Sequence, residues 1–511
     1  TTTTNSTGVA NEINGIFMYA TGTATPSTIQ NNTIKNISLT STARELLIFS
    51  NPEFSFIGIC AFDGSYIIDG NTIGAETGIG SISVAFNPDY NFFYTSLTSF
   101  VDGMQLAPTG TLTVTNNKVG AISITGNNNS AQILYFRGAL LVGNPSAPVT
   151  FSGNLFGSGL TANSIQQQNT GTKIANFLGL ITATTNTAIL NILNNTVRNF
   201  NNMSASNNYM IAFNFNGTCQ LNASGNIIQD LSSSSTSTNT TPGTNVMSGM
   251  VINNTGTGHI ISGNTVSGLK SVGGNASTAV YGISLDAVGA TGTISKNKIS
   301  NLTNTSTDVT SKIFGINNFN STNFSFSNNQ VSITNSPNTN ALDIEGIHEQ
   351  TGTTAKYYFN SVYIGGSAAS NSRNSYAFNR TATTSVEVKD NIFYNARTGG
   401  TGYHVGIGNT INSATGWPTT ASDYNDLYST NSSTLGQWLG STLANNRTYA
   451  TWQSSTGGDA NSINVTPVFS SATDLHLTSA AGNLALKTGT VIAGITDDID
   501  GDLRNPIIPT M

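Results

Sequence analysis

Residues 280–286 read VYGISLD, residues 313–319 read IFGINNF, residues 344–350 read IEGIHEQ, and residues 376–382 read YAFNRTA. Each segment begins about 32 residues after the one before it, and short segments centred on an Asn alternate with them at the same step. An internal repeat of about thirty residues is typical of solenoids, in which each repeat contacts only its neighbours. The repeat therefore predicts a stacked fold.

Two short signatures define the repeat along almost the whole chain. The first is a small residue followed by an apolar one, and its small residues are Gly15, Gly58, Gly103, Gly138, Gly179, Ala212, Gly249, Gly282, Gly315, Gly346, Ala377 and Gly406. The second is apolar-x-x-Asn-x-apolar, and its asparagines are Asn32, Asn71, Asn117, Asn154, Asn195, Asn226, Asn264, Asn297, Asn329, Asn360 and Asn391, with Asn425 as a twelfth at a longer offset. Fixed signatures at uneven intervals indicate loops of variable length on a constant repeat.

The repeat is built from strands. Its apolar runs are short, alternate in polarity and are rich in Ile, Val, Phe and Thr, whereas a helix needs apolar residues at three- and four-residue spacing. Each period holds three such runs, as in VYGISLD, TGTISKN and KISNLTN. We therefore predict an all-β chain, a parallel β-helix of about twelve three-strand coils.

The asparagine column has a physical reason in such a fold. Asn accepts a left-handed backbone better than most residues, so the column suits a tight turn between strands. Stacked Asn side chains at the strand spacing of about 4.8 Å also hydrogen-bond along the axis as a ladder. The small-residue column suits a position where a larger side chain would crowd the next coil.

Over roughly residues 10 to 430 this repeat pattern resembles that of the right-handed parallel β-helix proteins of the pectate-lyase-like architecture. The tail, with TYATWQSSTGGDANSINVTPVF and TDDIDGDLRNP, is similar to the closing segment of secreted β-helix proteins of the Bacteroidota. That resemblance implies secretion, of the type IX kind, and a further strand and sorting domain beyond such a tail. We accordingly expect residues 1–430 to form the β-helix, with longer insertions in the first third. Residues 431–511 are expected to be a truncated carboxyl-terminal cap, with its most helix-like segment at 445–454.

Composition narrows the function classes. Charged residues make up 8% of the 511 and the net charge is −6, without a basic stripe, which argues against nucleic-acid binding. No run of eighteen apolar residues is present, so no membrane span is predicted. Cys60 and Cys219 lie about four coils apart, too far for a disulfide, and are predicted to be buried small hydrophobes.

The strongest catalytic candidates are Glu345, His348 and Glu349, with Arg380 about one coil further along. Polysaccharide lyases and hydrolases of this architecture use acidic and basic side chains clustered on one sheet. The alternative interpretation is a solvated surface ion pair between coils. The same two interpretations apply to Asp102 and Arg137, which occupy one column.

Other candidates are weaker. Asp498, Asp500 and Asp502 in DDIDGD have the alternate-acid spacing of calcium loops, so calcium is the one metal that we predict as an option, against a simple polar turn. No other cofactor is indicated. Trp417, Trp438 and Trp452 all fall late, where packing of the cap is favoured over stacking on sugar rings.

Three hypotheses about function follow. The first is an extracellular or bacterial cell-surface structural stalk, adhesin or secreted passenger that makes polar contacts with glycans or proteins. The second is a polysaccharide lyase or hydrolase with its groove at Glu345, His348, Glu349 and Arg380, an activity that we regard as the less favoured. The third is a cargo of a secretion machinery whose function lies in other segments.

Overall fold

A computed structural model describes residues 11–41, 54–86, 98–126, 133–170, 175–185, 189–204, 206–239, 241, 243–274, 276–334, 342–368 and 372–511. Over these residues the chain is mostly β, with long parallel sheets that are solenoid-like and compatible with a parallel β-helix. The longer insertions predicted in the first third fall largely at residues 42–53, 87–97 and 127–132, outside the described residues.

The chain divides into two units. The amino-terminal unit contains Thr1–Gln220, Asn226–Val251 and Lys270–Gly274. The carboxyl-terminal unit contains Leu221–Gly225, Ile252–Leu269 and Asn275–Met511. Three strands contain residues of both units: Gln220–Ser224, Met247–Asn254 and Thr265–Ser271.

The strands of the amino-terminal unit form parallel ladders in which each strand pairs with its counterpart in the next repeat. The first ladder contains Asn11–Tyr19, Phe54–Phe62, Thr98–Ala107, Ile133–Gly143, Ala175–Thr184 and Met210–Gly217. The second contains Ser27–Gln30, Tyr66–Asp69, Leu112–Thr115, Val149–Ser152 and Ile189–Leu193. The third contains Thr33–Ile34, Thr72–Gly74, Lys118–Gly120, Leu155–Gly157, Thr196–Asn202 and Ile227–Ser233. A fourth, Ile37–Ser41, Ile82–Phe86, Ile122–Gly126 and Ile165–Asn169, joins Thr196–Asn202.

The carboxyl-terminal unit repeats this plan. Its first ladder contains Ala279–Ser295, Lys312–Ser327, Asp343–Glu349, Ser375–Arg380, His404–Asn409 and Gly436–Trp438, which pairs antiparallel with Asn446–Arg447. Its second contains His259–Ser262, the later halves of the two long strands, Gly352–Tyr358, Ser385–Lys389 and Ser422–Asp423. Its third contains Thr265–Ser271, Lys298–Ser300, Gln330–Ile333, Ser361–Ile364, Ile392–Asn395 and Asp426–Ser429. Smaller strands are Thr303–Asn304, Ser367–Ala368 and Thr398–Gly399.

Helix is confined to the carboxyl-terminal eighty residues among those described. An α-helix spans Tyr449–Thr456, overlapping the segment predicted to be helical. Its N-cap is Thr448, and it ends at Gly457 in a left-handed conformation, φ +67°. Three 3₁₀-helices span Ser432–Thr434, Leu443–Asn445 and Ala481–Leu486.

Within each unit the predicted asparagine columns form a hydrogen-bonded ladder. One contains Asn32, Asn71, Asn117, Asn154, Asn195 and Asn226, and the other contains Asn264, Asn297, Asn329, Asn360, Asn391 and Asn425. In each step the backbone N–H and the Nδ2 of one Asn donate to the Oδ1 of the next. The second Nδ2 hydrogen of Asn329 goes to the Ile294 carbonyl, 2.8 Å away. The amide is thus satisfied without water, which allows these polar side chains to be buried.

The turn itself uses the residue before each ladder asparagine, so the expectation that the ladder residues adopt the left-handed backbone is wrong. None of the twelve has a positive φ. The left-handed residues are Asn31, Gly70, Asn116, Gly153, Asn194, Gly225, Gly263, Lys296, Asn328, Phe359, Asp390 and Tyr424. The left-handed turn and the amide ladder thus use two neighbouring residues. The first bends the chain, and the second aligns its side-chain amide with the adjacent repeat.

The small-residue column is set by close approach between repeats. A Cβ placed on Gly315 would lie 2.3 Å from Val331 Cγ1 and 2.5 Å from the Gly346 carbonyl oxygen. A Cβ on Gly58 would lie 2.6 Å from the Gly103 carbonyl oxygen. Contacts of that length are forbidden, so at these two glycines the neighbouring atoms must shift before a larger residue fits.

Candidate functional site

The four predicted catalytic residues lie on two adjacent strands of the carboxyl-terminal unit. Glu345, His348 and Glu349 belong to Asp343–Glu349, and Arg380 is the last residue of Ser375–Arg380. The parallel register places Arg380 directly beside Glu349. The one-repeat offset read from the sequence is therefore confirmed.

The strand does not present these side chains on one surface. Glu349 and Arg380 are 0% exposed, whereas Glu345 and His348 are 8% and 7% exposed. Glu345 Oε2 lies 3.8 Å from His348 Nε2, although residues three apart on a regular strand point to opposite faces. The alternation is interrupted at Gly346, in the small-residue column. The expected solvated surface ion pair is wrong, because all four side chains are buried.

His348 is held by hydrogen bonds and ring stacking. Its Nδ1 lies 2.7 Å from Asn317 Oδ1, and its Nε2 lies 3.0 Å from Thr381 Oγ1. The Asn317 nitrogen already donates to Ser284, so Nδ1 carries the proton and Nε2 accepts. Its ring stacks on Phe314 with centroids 4.9 Å apart. Burial, with the nearby Lys312 charge, lowers the His348 pKa to about 3, so the imidazole is neutral at pH 7.

Glu345 is a buried acid with an unused oxygen. Burial, reinforced by the negative charge of Asp343, raises the Glu345 pKa to about 8. Its Oε2 has no hydrogen-bond partner among the described residues. At pH 7 the carboxyl is therefore mostly protonated, and the group is chemically a proton donor beside a neutral imidazole.

Glu349 and Arg380 belong to a polar network inside the unit. Glu349 Oε2 accepts from the Tyr357 hydroxyl at 2.5 Å and from Asn318 Nδ2 at 2.6 Å. Burial raises the Glu349 pKa to about 7 against these two hydrogen bonds. The ion pairs of the described residues include none between Glu349 and Arg380.

Arg380 is fully engaged by the fold. Its guanidinium donates to the Thr384 carbonyl through Nε and Nη2, at 3.0 and 2.8 Å. Nη1 donates to Asn409 Oδ1 at 2.7 Å, and Nη2 also donates to the Thr415 carbonyl. Burial lowers the Arg380 pKa to about 10, which leaves it charged at neutral pH. Its donors are directed at the protein, so Arg380 stabilises a turn.

The second predicted pair is a close ion pair in the amino-terminal unit. Arg137 Nε and Nη2 lie 2.7 and 2.6 Å from the two oxygens of Asp102, and the guanidinium sits 4.0 Å above the Phe100 ring. Burial raises the Asp102 pKa, and Arg137 opposes that rise. The pairing is confirmed, but the solvated character expected of it is wrong, because Asp102 is buried.

The predicted calcium loop directs its carboxylates to protein partners. Asp498 Oδ1 accepts from the backbone N–H groups of Asp500 and Asp502, both at 3.0 Å. The Asp500 carboxylate lies 2.7 Å from His476 Nε2 and 3.5 Å from Lys298 Nζ. Within the described ranges no group of three or more His, Cys, Asp or Glu side chains is arranged to hold a metal ion. Calcium binding at this loop stays a prediction.

The tryptophans pack against one another, as expected for a cap. Trp417, Trp438 and Trp452 meet edge to face with centroids 5.7 to 6.0 Å apart. All three are buried, and Trp452 Nε1 donates to Asp459 Oδ2 at 2.7 Å. Cys60 and Cys219 are buried and neither forms a disulfide, as predicted.

The sequence did not predict the residues that hydrogen-bond Glu349 and Arg380 inside the unit. Asn318 stands one repeat before Glu349 in the same column, so extending the register would have found it. Tyr357 comes from a different ladder and Thr384 from a turn, and no periodic signal connects them to Glu349 or Arg380.

Comparison with known proteins adds no relative. No protein family, no curated protein and no solved structure matches this chain. None of the helices in the described residues combines the length and apolarity that crossing a bilayer requires. The class that the fold itself defines is a large parallel-β, solenoid-like protein with asparagine ladders.

Proposed function

We propose that this chain is a non-catalytic scaffold: a secreted or bacterial cell-surface stalk, adhesin or passenger. The observation that carries the proposal is the burial of the catalytic candidates, with Glu349 and Arg380 at 0% exposure and bonded to the fold. A lyase or hydrolase needs charged groups that reach a substrate. Buried, internally bonded charges instead fix the packing of a repeat.

The architecture proposed for this scaffold is a right-handed parallel β-helix of about twelve three-strand coils, closed by a carboxyl-terminal cap over residues 431–511. Parallel crossover connections are right-handed in about 98% of known cases, which supports the handedness. The three main ladders of the carboxyl-terminal unit support three strands per coil. The buried Trp452 beside Gly436, on the last strand of the first ladder, supports a cap.

Secretion and surface location rest on the resemblance of the tail and on composition. Outward columns carry Ser, Thr and Asn, as in the column of Thr113, Thr150 and Asn191. Uncharged polar side chains of this kind suit many weak contacts with glycans or proteins. The partners proposed are therefore extracellular glycans or proteins, and a secretion machinery, of the type IX kind, during export.

An enzyme remains the second candidate because of one specific observation. Glu345 has a pKa of about 8 and an unpartnered Oε2 next to His348, which is the condition of a poised acid. It is 8% exposed, so a substrate would have to reach it through a small opening.

The test is a turnover assay on a panel of uronic-acid and neutral polysaccharides, read by new reducing ends and by unsaturated products. The scaffold predicts no turnover by the wild type and a lower melting temperature for Arg380→Ala. Turnover that disappears in Glu345→Gln at an unchanged melting temperature, but persists in the surface control Glu76→Gln, would establish the enzyme instead. Glu76 is a suitable control because its carboxylate is 45% exposed.

A further inference from the structure

A cleft of about 660 Å³ lies within the carboxyl-terminal unit, away from the cluster described above. Its floor is the outward side of the second ladder, and its wall is the segment 490–497, named here the strap. Small-ligand sites in proteins have volumes of about 300–1,000 Å³, so this cleft has the size of such a site.

The strap is fixed at both ends. At one end the Thr490 N–H donates to Asp390 Oδ1 at 2.6 Å. At the other, Asp497 Oδ2 lies 2.6 Å from Lys296 Nζ, and Asn328 Nδ2 donates to the Asp497 carbonyl at 3.0 Å. Because both ends are tied to the ladder, the cleft exists before any ligand arrives, and binding there does not have to order the wall.

Two of the three lysines in the cleft already have counter-ions. Lys296 pairs with Asp497, and Lys389 pairs with Glu387 at 2.6 Å. Glu387 also accepts from the Tyr358 hydroxyl at 2.7 Å. Burial would raise the Glu387 pKa, but the hydrogen bonds from Lys389 and Tyr358 outweigh it and lower that pKa, so Glu387 is ionised.

Lys356 is the exception. It lines the cleft between Ser325 and Glu387 in one column of the floor, and its side chain is exposed. No carboxylate of the described residues lies within ion-pair distance of its ammonium group. The three lysines and two carboxylates of the cleft leave one net positive charge. Lys356 helps to lower the pKa of Glu387, but the close partner of Glu387 is Lys389, so the ammonium group without a close counter-ion is that of Lys356.

The strap, which faces this floor, is mainly aliphatic. Its side chains include Val491, Ile492 and Ile495, and Val491 is 54% exposed. A ligand in this cleft meets aliphatic side chains on one side, and hydroxyls with one unpaired ammonium on the other. Burying apolar ligand surface against the wall is favourable, and an anionic group pairs with the ammonium.

We propose that the strap cleft binds a carboxylate carried on an apolar body, with the carboxylate at Lys356 and the apolar part against Val491, Ile492 and Ile495. A single ammonium matches a monoanion, whereas phosphate groups are generally held by several cationic groups or by Arg. The carboxylate belongs to a small organic acid or to the end of a peptide with an apolar last residue. The proposal goes beyond the scaffold role and does not rest on it.

The test is calorimetric titration of the full chain with two free acids and their neutral counterparts. The acids are 4-phenylbutyrate and the peptide acetyl-Val-Ile-Phe, and the counterparts are their carboxamides. We expect saturable binding of at least one acid and about tenfold weaker binding of its amide, because the amide lacks the charge that pairs with the ammonium group. Whichever acid binds more tightly identifies the source of the carboxylate.

Two variants locate the site. Lys356→Gln should lower the affinity for the acid about tenfold, because it removes the ammonium group that pairs with the carboxylate. Lys270→Gln should leave that affinity unchanged. Lys270 is a matched control, since it is an exposed lysine on a strand outside the cleft. Ile492→Ser should weaken the binding of acid and amide alike, because it removes apolar surface from the strap. No saturable binding of either acid up to about 10 mM, equal binding of acid and amide, or equal effects of the two lysine variants would overturn the proposal.

Discussion

Buried ionisable residues are the most informative single side chains of this protein. Burial disfavours the charged form of Glu345, His348 and Glu349, because taking a charge out of water costs more than their few hydrogen bonds return. A group whose pKa differs between the folded and unfolded chain makes stability depend on pH. Glu345 and His348 do so in opposite directions.

The sign of each effect follows from the proton count. Folded Glu345 keeps its proton up to about pH 8, whereas an unfolded carboxyl releases it near its ordinary pKa of 4.5, so stability falls as pH rises between these values. Folded His348 stays neutral down to about pH 3, whereas the unfolded imidazole protonates below its ordinary 6.5, so stability rises with pH up to 6.5. Between pH 6.5 and 8 only the Glu345 effect remains of the two.

Glu345→Gln should therefore flatten the pH dependence of the free energy of unfolding between pH 6.5 and 8. The difference in slope between wild type and variant should approach about 1.4 kcal/mol per pH unit, the value for one proton. Urea denaturation across this range measures it. Glu76→Gln is the control, and its curve should run parallel to wild type. A Glu345→Gln curve that also runs parallel would show that the Glu345 pKa is not raised.

The spacing between the strands of successive repeats limits which residues fit in the small-residue column. In the small-residue column the backbones of successive repeats approach each other, so a larger side chain there meets the next repeat. Gly315 is an example in which both a side chain and a carbonyl oxygen occupy the space of a Cβ.

Gly315→Ala should destabilise the carboxyl-terminal unit by about 1–3 kcal/mol, the usual cost of overpacking a well-packed site. Gly482→Ala is the matched control, because a Cβ there meets nothing within 4 Å and its φ is not in the left-handed region. That change should be neutral or slightly stabilising, by about 0.4–1 kcal/mol. Equal stability of the two variants in urea melts would show that the repeats can move apart without cost.

At the scale of the whole molecule, an asparagine ladder contributes to the stability of each unit. An inner ladder residue hydrogen-bonds to its neighbours on both sides: Asn329 accepts from Asn297 and donates to Asn360. In a repeat protein such effects act mainly between adjacent repeats and weaken with distance. All three tryptophans of the chain, Trp417, Trp438 and Trp452, lie in the carboxyl-terminal unit, so tryptophan fluorescence reports that unit alone.

Asn329→Ala should lower the urea midpoint of the fluorescence transition, because it leaves the buried Asn297 amide without its acceptor at a cost of about 3 kcal/mol. Asn117→Ala, in the other ladder, should shift the far-ultraviolet circular dichroism transition while moving the fluorescence midpoint much less. Asn323→Ala, an exposed Asn on a strand of the carboxyl-terminal unit, should move neither. Equal fluorescence shifts for Asn117→Ala and Asn329→Ala would show that the chain unfolds as one cooperative body.

The sequence by itself determined the parallel-β class, the asparagine ladders, the small-residue column and the one-repeat offset of Arg380 from Glu345, His348 and Glu349. These features are periodic, and a repeat converts a fixed sequence interval into a spatial contact. It also indicated the helix near residue 449 and the burial of the cysteines and tryptophans, which follow from local composition.

Only the tertiary structure decided which way each charged side chain points. Glu345 and Glu349 are four residues apart on one strand, yet Glu345 keeps a little exposure beside His348 and Glu349 belongs to an interior network with Tyr357. The strap cleft likewise joins residues 293–389 to residues 490–497, a contact that no period encodes. Burial and pKa depend on everything that surrounds a group in space. A repeat read along the chain reveals only the neighbours that lie one period away.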